Sequence, residues 1–523
     1  MQMGSRWVRR VFGAVSLTVM SMIGIADARD LRININADPE MIDPVTYSAL
    51  IAGDILKNIY QGFTDTDENG RIVPVLAERW EAHPDNLGFR FHLRRNVVFH
   101  SGRPFTARDV KYTLEQLLIP GNRGGLARQY VERVEGARAV IDGQTRELSG
   151  VRIVDDHTLD VRFTAPDVLF PIYPFMFFDS ATIAERGLPY FQQTSAGTGP
   201  FKFVQWRRGQ DVRVEAHRQY WGGAPRVDGV TWVIVPSDET AITMYEAGEL
   251  DVLNLTGGGG DVARRAMRDS RLRPQAITSP VAQINFLGMN QNLYAPFRDR
   301  RVREAFCISI DREAMSRGLF GGLAVPLYGQ ITPGVAGYSA TNIPPIRYDP
   351  DRARQLLAEA GFPGGRGLPP LKIANLPQFR NEIAYFADQW RQILGVTVEL
   401  EIMERALFLR SLNAGEVPFF NWGWTAGYPD ALYFLSQVWH SRSPFNRARY
   451  ANATFDRLID QAQSTANDAA RYSLYQEAER VLIADWGTCG LYMRTIVAVV
   501  RPNVRGVVLS PFRFLPFDKV VIN

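Results

Sequence analysis

The stretch Leu371-Lys-Ile-Ala-Asn-Leu376 begins the part of the chain that decides the fold. It is short and apolar, as buried strands are, and residues 382–394 follow it with apolar side chains at helical spacing. Alternating residues at 396–402 predict a second strand, residues 406–412 a short helix, and residues 417–424 a third strand. Strands that alternate with helices predict an α/β fold, in which helices cover both faces of a parallel sheet.

The aromatic stretch Asn421-Trp-Gly-Trp-Thr-Ala-Gly-Tyr-Pro-Asp430 lies where that third strand ends. In parallel α/β sheets, ligands bind beyond the carboxyl ends of the strands. Two indoles, a tyrosine, a hydroxyl and backbone exposed by glycine suit a surface that wraps a small ligand. The alternative interpretation is structural, namely a buried aromatic strand followed by a tight turn at residues 427–430.

The first 28 residues have the pattern of a secretory signal peptide. An apolar run from Val11 to Ile25 is too short for a comfortable transmembrane helix, and Ala26-Asp27-Ala28 supplies small residues for cleavage. The run follows a basic start at Arg6, Arg9 and Arg10. We therefore expect cleavage and a soluble periplasmic product, with an uncleaved membrane anchor as the alternative. No cysteine follows the apolar run, so a lipoprotein is not expected, and the export route (general secretory or twin-arginine) stays open.

Composition and motif searches exclude several function classes for this chain of 523 residues. The formal net charge is +4 and no run rich in Lys or Arg occurs, so nucleic acid is not an expected partner. No Gly-x-Ser-x-Gly elbow is present, and no two histidines stand at metal-ligand spacing. We therefore expect no metal, no cofactor and no enzyme activity, with an exported hydrolase as a distant alternative. The histidines are His83, His92, His100, His157, His217 and His440.

The cysteines leave two possibilities open. Cys307 and Cys489 could form one disulfide or remain two buried thiols, because spacing along the sequence does not decide between them.

The most diagnostic segment runs from residue 73 to residue 110. Its parts are Val73-Pro-Val-Leu-Ala-Glu-Arg-Trp80, Phe89-Arg-Phe-His-Leu-Arg-Arg95 and Val98-Phe-His-Ser-Gly-Arg-Pro-Phe-Thr-Ala-Arg-Asp-Val110. They predict a helix, a hairpin and a second helix, in which Thr106 is the N-cap and Asp109 closes a capping box. Further along, residues 297–315 predict one long helix.

This segment closely resembles the family 5 extracellular solute-binding proteins of ABC importers, the dipeptide- and oligopeptide-binding group. The resemblance covers nearly the whole mature chain, and its motifs occur in one order. Further matching motifs are Asn36-Ala37 with Pro39 and Asp43-Pro44, Gly197-Thr-Gly-Pro-Phe201, Tyr220-Trp221 with Pro225 and Asp228, Ala247-Gly-Glu-Leu-Asp251, Phe297 through Arg312, and Tyr348-Asp-Pro through Gly361.

The resemblance implies a two-lobed periplasmic binding protein fold of the large, three-subdomain class. Lobe I would comprise residues 29–280, with an inserted subdomain near 64–190. The C-terminal segment 495–523 would return to lobe I. Lobe II would comprise residues 281–494. The lobes would close on a ligand by a hinge motion, and the liganded monomer would then dock transiently on an ABC permease in the inner membrane.

The resemblance also implies a set of ligand-binding residues by ungapped matching. Ser48, Ala49, Leu50, Gly423 and Thr425 match positions that pair with the ligand backbone, and Trp424 matches a pocket-lining tryptophan. The other predicted contacts are Asn421, Gly427, Tyr428, Asp430 and Arg380. For Arg380, a surface arginine is the alternative interpretation.

Two departures from the family pattern bear on the ligand. Gly427 stands where peptide binders carry the aspartate that holds the peptide amino terminus, and Asn421 stands where tripeptide binders carry an arginine. Asp430 is the nearest acid that could replace the missing aspartate. The main prediction is a peptide or peptide-like solute, and the alternative is a non-peptide polar solute that is sugar-like, opine-like or amine-blocked. A periplasmic chaperone or signalling receptor on the same fold also stays open.

Overall fold

The computed structural model describes residues 29–47, 50–122, 126–192, 194–255 and 260–523. The predicted signal peptide lies outside the described residues. The strands are, in chain order, β1 (Leu31–Ile35), β2 (Thr64–Thr66), β3 (Ile72–Pro74), β4 (Ala77–Ala82), β5 (Gly88–Leu93), β6 (Val151–Asp155), β7 (Thr158–Arg162), β8 (Phe201–Arg207), β9 (Asp211–Ala216), β10 (Gly229–Ile234), β11 (Val252–Asn254), β12 (Ala276–Pro280), β13 (Gln283–Met289), β14 (Ala324–Pro326), β15 (Leu371–Asn375), β16 (Val398–Ile402), β17 (Phe419–Thr425), β18 (Cys489–Val500), β19 (Val504–Arg505), β20 (Leu509–Ser510), β21 (Arg513–Phe514) and β22 (Val521–Ile522).

The α-helices surround these strands. They are α1 (Leu50–Leu56), α2 (Ala107–Leu118), α3 (Ala137–Ile141), α4 (Ser180–Arg186), α5 (Asp238–Ala247), α6 (Gly260–Arg268), α7 (Arg300–Ile308), α8 (Arg312–Phe320), α9 (Pro350–Glu359), α10 (Arg380–Leu394), α11 (Arg405–Ala414), α12 (Leu432–Phe434), α13 (Ala453–Gln463) and α14 (Asp468–Ala484). One turn of π-helix, Leu435–Trp439, follows α12. Among the helices of the described residues, none combines the length and the apolar run needed to cross a membrane.

One large sheet organises the molecule. Its strands run in the order β16-β15-β17-β13-β18-β11-β1-β10-β9-β8, and β12 and β14 also pair with β18. Pairs such as β15–β16 and β1–β10 are parallel, whereas β17 runs antiparallel to β13. The predicted α/β class is therefore confirmed, but the sheet is mixed rather than parallel. A separate antiparallel sheet has the order β4-β5-β7-β6.

Strand β18 changes its partners in mid-course. Up to Arg494 it pairs with β13 and β14, and from Thr495 onward it pairs with β12 and then β11. This change falls where the sequence predicts the chain to cross between lobes. The lobe boundaries themselves stay a prediction.

Cap geometry confirms the predicted start of α2 and also accounts for the start of α9 and the end of α10. Thr106 and Asp109 form the capping box of α2, in which the Asp109 carboxylate accepts the backbone N–H of Thr106 at 2.9 Å. Asp349 caps α9, and Pro350 occupies its first turn. Gly395 ends α10 with a φ of 69°, a left-handed conformation that glycine adopts without steric cost.

Two predictions of helix are wrong. Residues 73–80 form parts of β3 and β4 rather than a helix, because Arg79 and Trp80 pair with His92 and Phe91 of β5 and this pairing overrides local helical propensity. The predicted long helix at 297–315 is broken into α7 and α8. The break occurs because the Asp311 side chain accepts the N–H of Ala314 and starts a new helix.

The structure also settles the question of the cysteines. Cys307 at the end of α7 and Cys489 at the start of β18 form a disulfide, with their Cα atoms 5.7 Å apart. The bond joins a helix to the strand that runs through both halves of the sheet.

Candidate functional site

The second half of β17 has one edge without a strand partner. On one side β17 pairs with β13 along its whole length, from Phe419 opposite Met289 to Thr425 opposite Gln283. On the other side, within the described residues, it meets β15 only at Phe420, because β15 ends soon after that point. The backbone from residue 421 to residue 425 therefore has no paired strand on this side among the described residues, and an extended segment can add to a strand edge of this kind.

Gly423 is at the centre of this edge, and its lack of a side chain has a clear reason. A Cβ atom there would lie 2.6 Å from Nε2 of Gln283 and 2.7 Å from Oδ1 of Asn285. Glycine therefore leaves room for the side-chain amides of Gln283 and Asn285 and keeps its own backbone approachable.

An aromatic wall covers one face of the edge. Trp422 and Trp424 are half-buried, and the Arg447 guanidinium lies 5.0 Å and 5.6 Å from their ring centroids. The Trp424 ring also lies 5.2 Å from that of Phe445. Arg447 is 8% exposed, and burial lowers the pKa of its guanidinium to about 10. This face can stack against a flat or apolar part of a ligand.

A polar network covers the opposite face, and the carboxylate of Glu382 is its centre. Its Oε2 accepts hydrogen bonds from Asn421 Nδ2 at 3.1 Å and from the Tyr492 hydroxyl at 2.5 Å. Its Oε1 accepts one from the Arg494 guanidinium at 3.1 Å. Burial raises the pKa of Glu382, and these three donors partly oppose that rise. The predicted contact Asn421 therefore orients an acid, and it is itself only 3% exposed.

Arg494 is the member of this network that reaches solvent. Its side chain is 32% exposed, against 7% for Glu382. The guanidinium carbon lies 5.4 Å from the centroid of the Phe379 ring, just before α10 begins. Its Nε is buried and, among the described residues, has no hydrogen-bond acceptor.

Asp430, the predicted substitute for the missing aspartate, faces the interior. It is 1% exposed, accepts the N–H of Leu432 at 2.9 Å and lies 3.6 Å from the Arg471 guanidinium. Burial raises the pKa of Asp430, and Arg471 opposes the rise. Its carboxylate is thus committed to protein partners.

Tyr428 belongs to a cluster of tyrosines that joins distant parts of the chain. Its ring lies 5.1 Å from that of Tyr173, 6.0 Å from Tyr130 and 4.9 Å from Tyr433. Tyr130 and Tyr173 stack on each other at 4.5 Å. We call these four residues the tyrosine cluster, and it connects the segment predicted as the inserted subdomain to the end of β17.

A cavity of about 650 Å³ opens next to the tyrosine cluster. It lies between the segment 128–133 and the residues 436–445 that follow α12, with α13 at one side. Phe445 forms part of both its lining and the aromatic wall. A hydrogen bond from Arg133 to Gln463 at 2.8 Å spans its two sides.

The remaining predicted contacts are placed as follows. Ser48 and Ala49 lie outside the described residues, and Leu50 begins α1 with its side chain 53% exposed. Arg380 is exposed at the start of α10. Gly427 is exposed, and a Cβ atom there would lie 3.0 Å from the Tyr433 ring.

Four residues around this edge were not predicted from the sequence, although two of them carry a signal there: Glu382, Arg447, Tyr492 and Arg494. Glu382 shares a helical face with the apolar Phe386 and Trp390, where a carboxylate needs a partner. Arg494 is the single charged residue in the twelve of β18.

The ring of His100 is held by hydrogen bonds to neighbouring protein groups. Its ring nitrogens lie 2.8 Å from Ser195 Oγ and 3.0 Å from the carbonyl oxygen of Gly199, and burial lowers its pKa to about 3. In the described part of the chain, no group of three or more His, Cys, Asp or Glu side chains is arranged to hold a metal ion.

Comparison with known proteins gives a family match over most of the chain. The family model described as bacterial extracellular solute-binding proteins, family 5, middle, matches residues 71–446. The periplasmic oligopeptide-binding protein OppA of Salmonella typhimurium is 26% identical over 509 residues, which is 94% of this chain and 92% of that protein. Heme-binding protein A of Haemophilus influenzae is 28% identical over 476 residues, or 86% and 84% of the two chains.

Solved structures show the same two-lobed fold. The Escherichia coli murein tripeptide binding protein MppA superimposes with a TM-score of 0.78 at 23% sequence identity, covering 95% of this chain and 99% of the other. The predicted two-lobed fold class is confirmed by this similarity.

Proposed function

This chain belongs to the family 5 bacterial extracellular solute-binding proteins, and we propose that it captures a peptide or peptide-like solute for an ABC importer. The solute is held between lobe I (29–280 with 495–523) and lobe II (281–494). The liganded protein then delivers it to a permease in the inner membrane. Residues 1–28 direct export and are removed, and the protein works in the periplasm as a monomer without a lipid anchor.

The open edge of β17 is the observation that carries this proposal. A strand edge recognises an extended main chain by hydrogen bonds that do not depend on the ligand's side chains. Gly423 keeps the edge approachable, while Trp424 on one face and the Asn421–Glu382 network on the other enclose whatever lies along it. Peptides and peptide-like solutes have the alternating N–H and C=O groups that such an edge requires.

Lobe closure supplies the conformational step. The chain crosses between the proposed lobes at β12–β13 and within β18, two neighbouring segments that can flex together as a hinge. The tyrosine cluster and the Arg133–Gln463 hydrogen bond join the proposed inserted subdomain (64–190) to lobe II on the far side of the cleft. These contacts stabilise the closed arrangement. Binding, closure and delivery require no bond chemistry, so the protein is not an enzyme.

A second candidate ligand class is favoured by Gly427 and Asp430. A free ligand amine would find no carboxylate at Gly427, and the Asp430 carboxylate is held by Arg471 and by the backbone of α12. Burying an ammonium without a partner costs about 2–5 kcal/mol. An amine-blocked peptide, or a sugar-like or opine-like solute, avoids this cost. The name of heme-binding protein A shows that at least one relative takes a ligand that is not a peptide.

Backbone methylation of a peptide ligand tests the role of the open edge. The mature protein is titrated with pools of peptides of two to five residues, free and N-acetylated, and with the same sequences carrying N-methyl groups on alternate peptide bonds. Binding is followed by calorimetry and by the rise in melting temperature that a ligand of the native state produces. We expect the methylated pools to bind at least tenfold more weakly, because they cannot donate to the edge.

Equal binding of methylated and unmethylated pools would contradict recognition by the edge. Binding of sugars or opines without binding of any peptide pool would replace the peptide proposal by the second candidate. Size-exclusion chromatography of the liganded protein tests the monomer, and capture of the liganded protein by its cognate permease in proteoliposomes tests the transport role.

A further inference from the structure

Buried donors without acceptors are concentrated around the open edge of β17. Within the described residues, five such groups lie on β17, next to it or, for Arg494, one contact away through Glu382, and every one of them is an N–H donor. They are Asn375 Nδ2, Trp422 Nε1, Trp424 Nε1, Arg447 Nη1 and Arg494 Nε. A buried donor without an acceptor is unfavourable, so a ligand that presents acceptors to these groups on either face would be stabilised.

The charged side chains near β17 also favour a ligand group that is rich in acceptors. The carboxylates of Glu382 and Asp430, on the two sides of β17, are both buried and hydrogen-bonded to protein donors. Arg494 by contrast is one-third exposed and uses one guanidinium nitrogen for Glu382. A guanidinium carries five N–H donors in a planar fork that fits a carboxylate or phosphate. Of these charged groups, the one that reaches solvent is therefore the Arg494 cation.

Arg494 is also held in place as a recognition residue would be. Glu382 fixes one side of the guanidinium, and the Phe379 ring lies 5.4 Å from its central carbon. Glu382 is itself fixed by Tyr492 and by Asn421, which is the first residue of the open edge. The Arg494 backbone carbonyl accepts the N–H of Val281, so the side chain starts from the place where β18 changes partners. The contacts of Glu382 with Arg494 and Asn421 thus connect the guanidinium to the start of the open edge on the network face.

We infer that Arg494 binds an anionic group of the ligand, and that the solute carries a carboxylate or a phosphate. This inference rests on the proposed function and specifies its ligand. Arg494 acts as the ligand contact, and Glu382 is a positioning residue that keeps the guanidinium at the edge. The family motifs did not single out either position in this chain.

The test compares acids with amides. The probes are a pool of N-acetylated tripeptides with free carboxyl ends and the same pool with carboxamide ends, titrated into wild-type protein. We expect the acid pool to bind at least tenfold more tightly, since a charge-assisted hydrogen bond is lost in the amide. In Arg494→Gln the preference falls to about twofold or less, and Arg494→Lys keeps part of it because the charge remains.

Two further variants guard against a folding artefact. The double variant Glu382→Gln/Arg494→Gln removes both charges, so neither is left buried and unpaired. It is expected to fold, as urea unfolding will show, and to lack the preference. Arg391→Gln on α10 is the matched control, because Arg391 is 62% exposed and pairs with Asp388. We expect Arg391→Gln to keep the wild-type preference for the acid pool. An undiminished acid preference in both Arg494→Gln and the double variant, or no preference in the wild type, would overturn the inference.

Failure of the proposed function gives a different result. If the wild type binds neither pool, the peptide proposal fails, and the solute released from protein purified from its own host then decides the inference. A released solute with a carboxylate or phosphate, absent from the double variant purified in the same way, supports Arg494 as the anion contact. A neutral released solute, or equal recovery of an acidic solute from both proteins, overturns it.

Discussion

Two buried carboxylates flank the open edge of β17, and their arginine partners differ in exposure. Glu382 is 7% exposed at its side chain and is paired with Arg494, which is 32% exposed. Asp430 is 1% exposed and is paired with Arg471, which is 7% exposed. At the first end the cation is partly exposed to solvent, whereas at the second end both charges are almost fully buried.

This difference indicates that exposure of the counter-charge separates a ligand contact from a structural ion pair. A buried acid whose arginine is also buried has both charges satisfied within the protein. A buried acid whose arginine is partly exposed holds that arginine where it can contact a ligand. The Glu382 end would therefore select the charge of the ligand, whereas the Asp430 end would limit the site with packed side chains.

The largest expected effect comes from removing each acid in turn. Asp430→Ala is expected to lower the free energy of unfolding by about 3–5 kcal/mol, since it leaves the buried Arg471 paired only with Asp468, whose side chain is 67% exposed. Glu382→Ala is expected to cost less, because water can solvate the one-third-exposed Arg494. Urea unfolding of both variants measures this. An equal loss in the two, or a larger loss for Glu382→Ala, would remove the distinction between the ends.

The aromatic wall supplies the next largest effect. Trp424→Ala is expected to weaken binding of the natural solute by more than about tenfold, as tryptophans in contact with ligands often dominate binding. Trp424→Phe, which keeps an aromatic face beside Phe445, is expected to lose less. Calorimetric titration gives both values. Unchanged affinity in Trp424→Ala would mean that the residue only packs the strand.

A substitution at Gly427 can place an exposed acid at the Asp430 end of the edge. Gly427→Asp is expected to strengthen binding of free-amine peptides by about tenfold, because it places a carboxylate where an ammonium group can reach it. The gain is limited by the Tyr433 ring, 3.0 Å from the new Cβ, which must shift slightly. Gly427→Asn is the control of equal size without charge. If Gly427→Asp improves no free-amine peptide over this control, the alignment of position 427 with the family's aspartate is wrong.

The smallest effect concerns closure at the tyrosine cluster. Gln463→Ala removes the acceptor of the 2.8 Å hydrogen bond from Arg133 and is expected to speed ligand dissociation about two- to tenfold. Association should change little, since the bond forms only when the two sides meet. Stopped-flow tryptophan fluorescence separates the two rates. A change in association alone would show that this contact does not stabilise the closed state.

The sequence predicted the elements around the site better than it predicted the site itself. The strand at 371, the helix that follows it and the aromatic strand at 417–424 were predicted because apolar periodicity is local information. The antiparallel pairing of β13 with β17 was not predicted, since the two strands are far apart in sequence. Residues 73–80 were mistaken for a helix for the same reason, as their partner β5 determines their structure.

The network around Arg494 shows the same limit. An acid on the apolar face of a helix and a lone charge in an apolar strand each indicate that a partner exists. Neither indicates which partner it is, because α10 and β18 meet only in the folded protein. The roles of Asn421, Gly423 and Thr425 as ligand contacts stay predictions, as do those of the other predicted site residues.

The solute that the protein carries tests the central claim most directly. The mature protein is purified from its own host, its mass is measured under native conditions, and the solute is released by denaturation and identified. We expect an extended peptide or peptide-like compound with a carboxylate or phosphate and without a free amine buried at the Gly427 end. A compact neutral solute with no acidic group would contradict it.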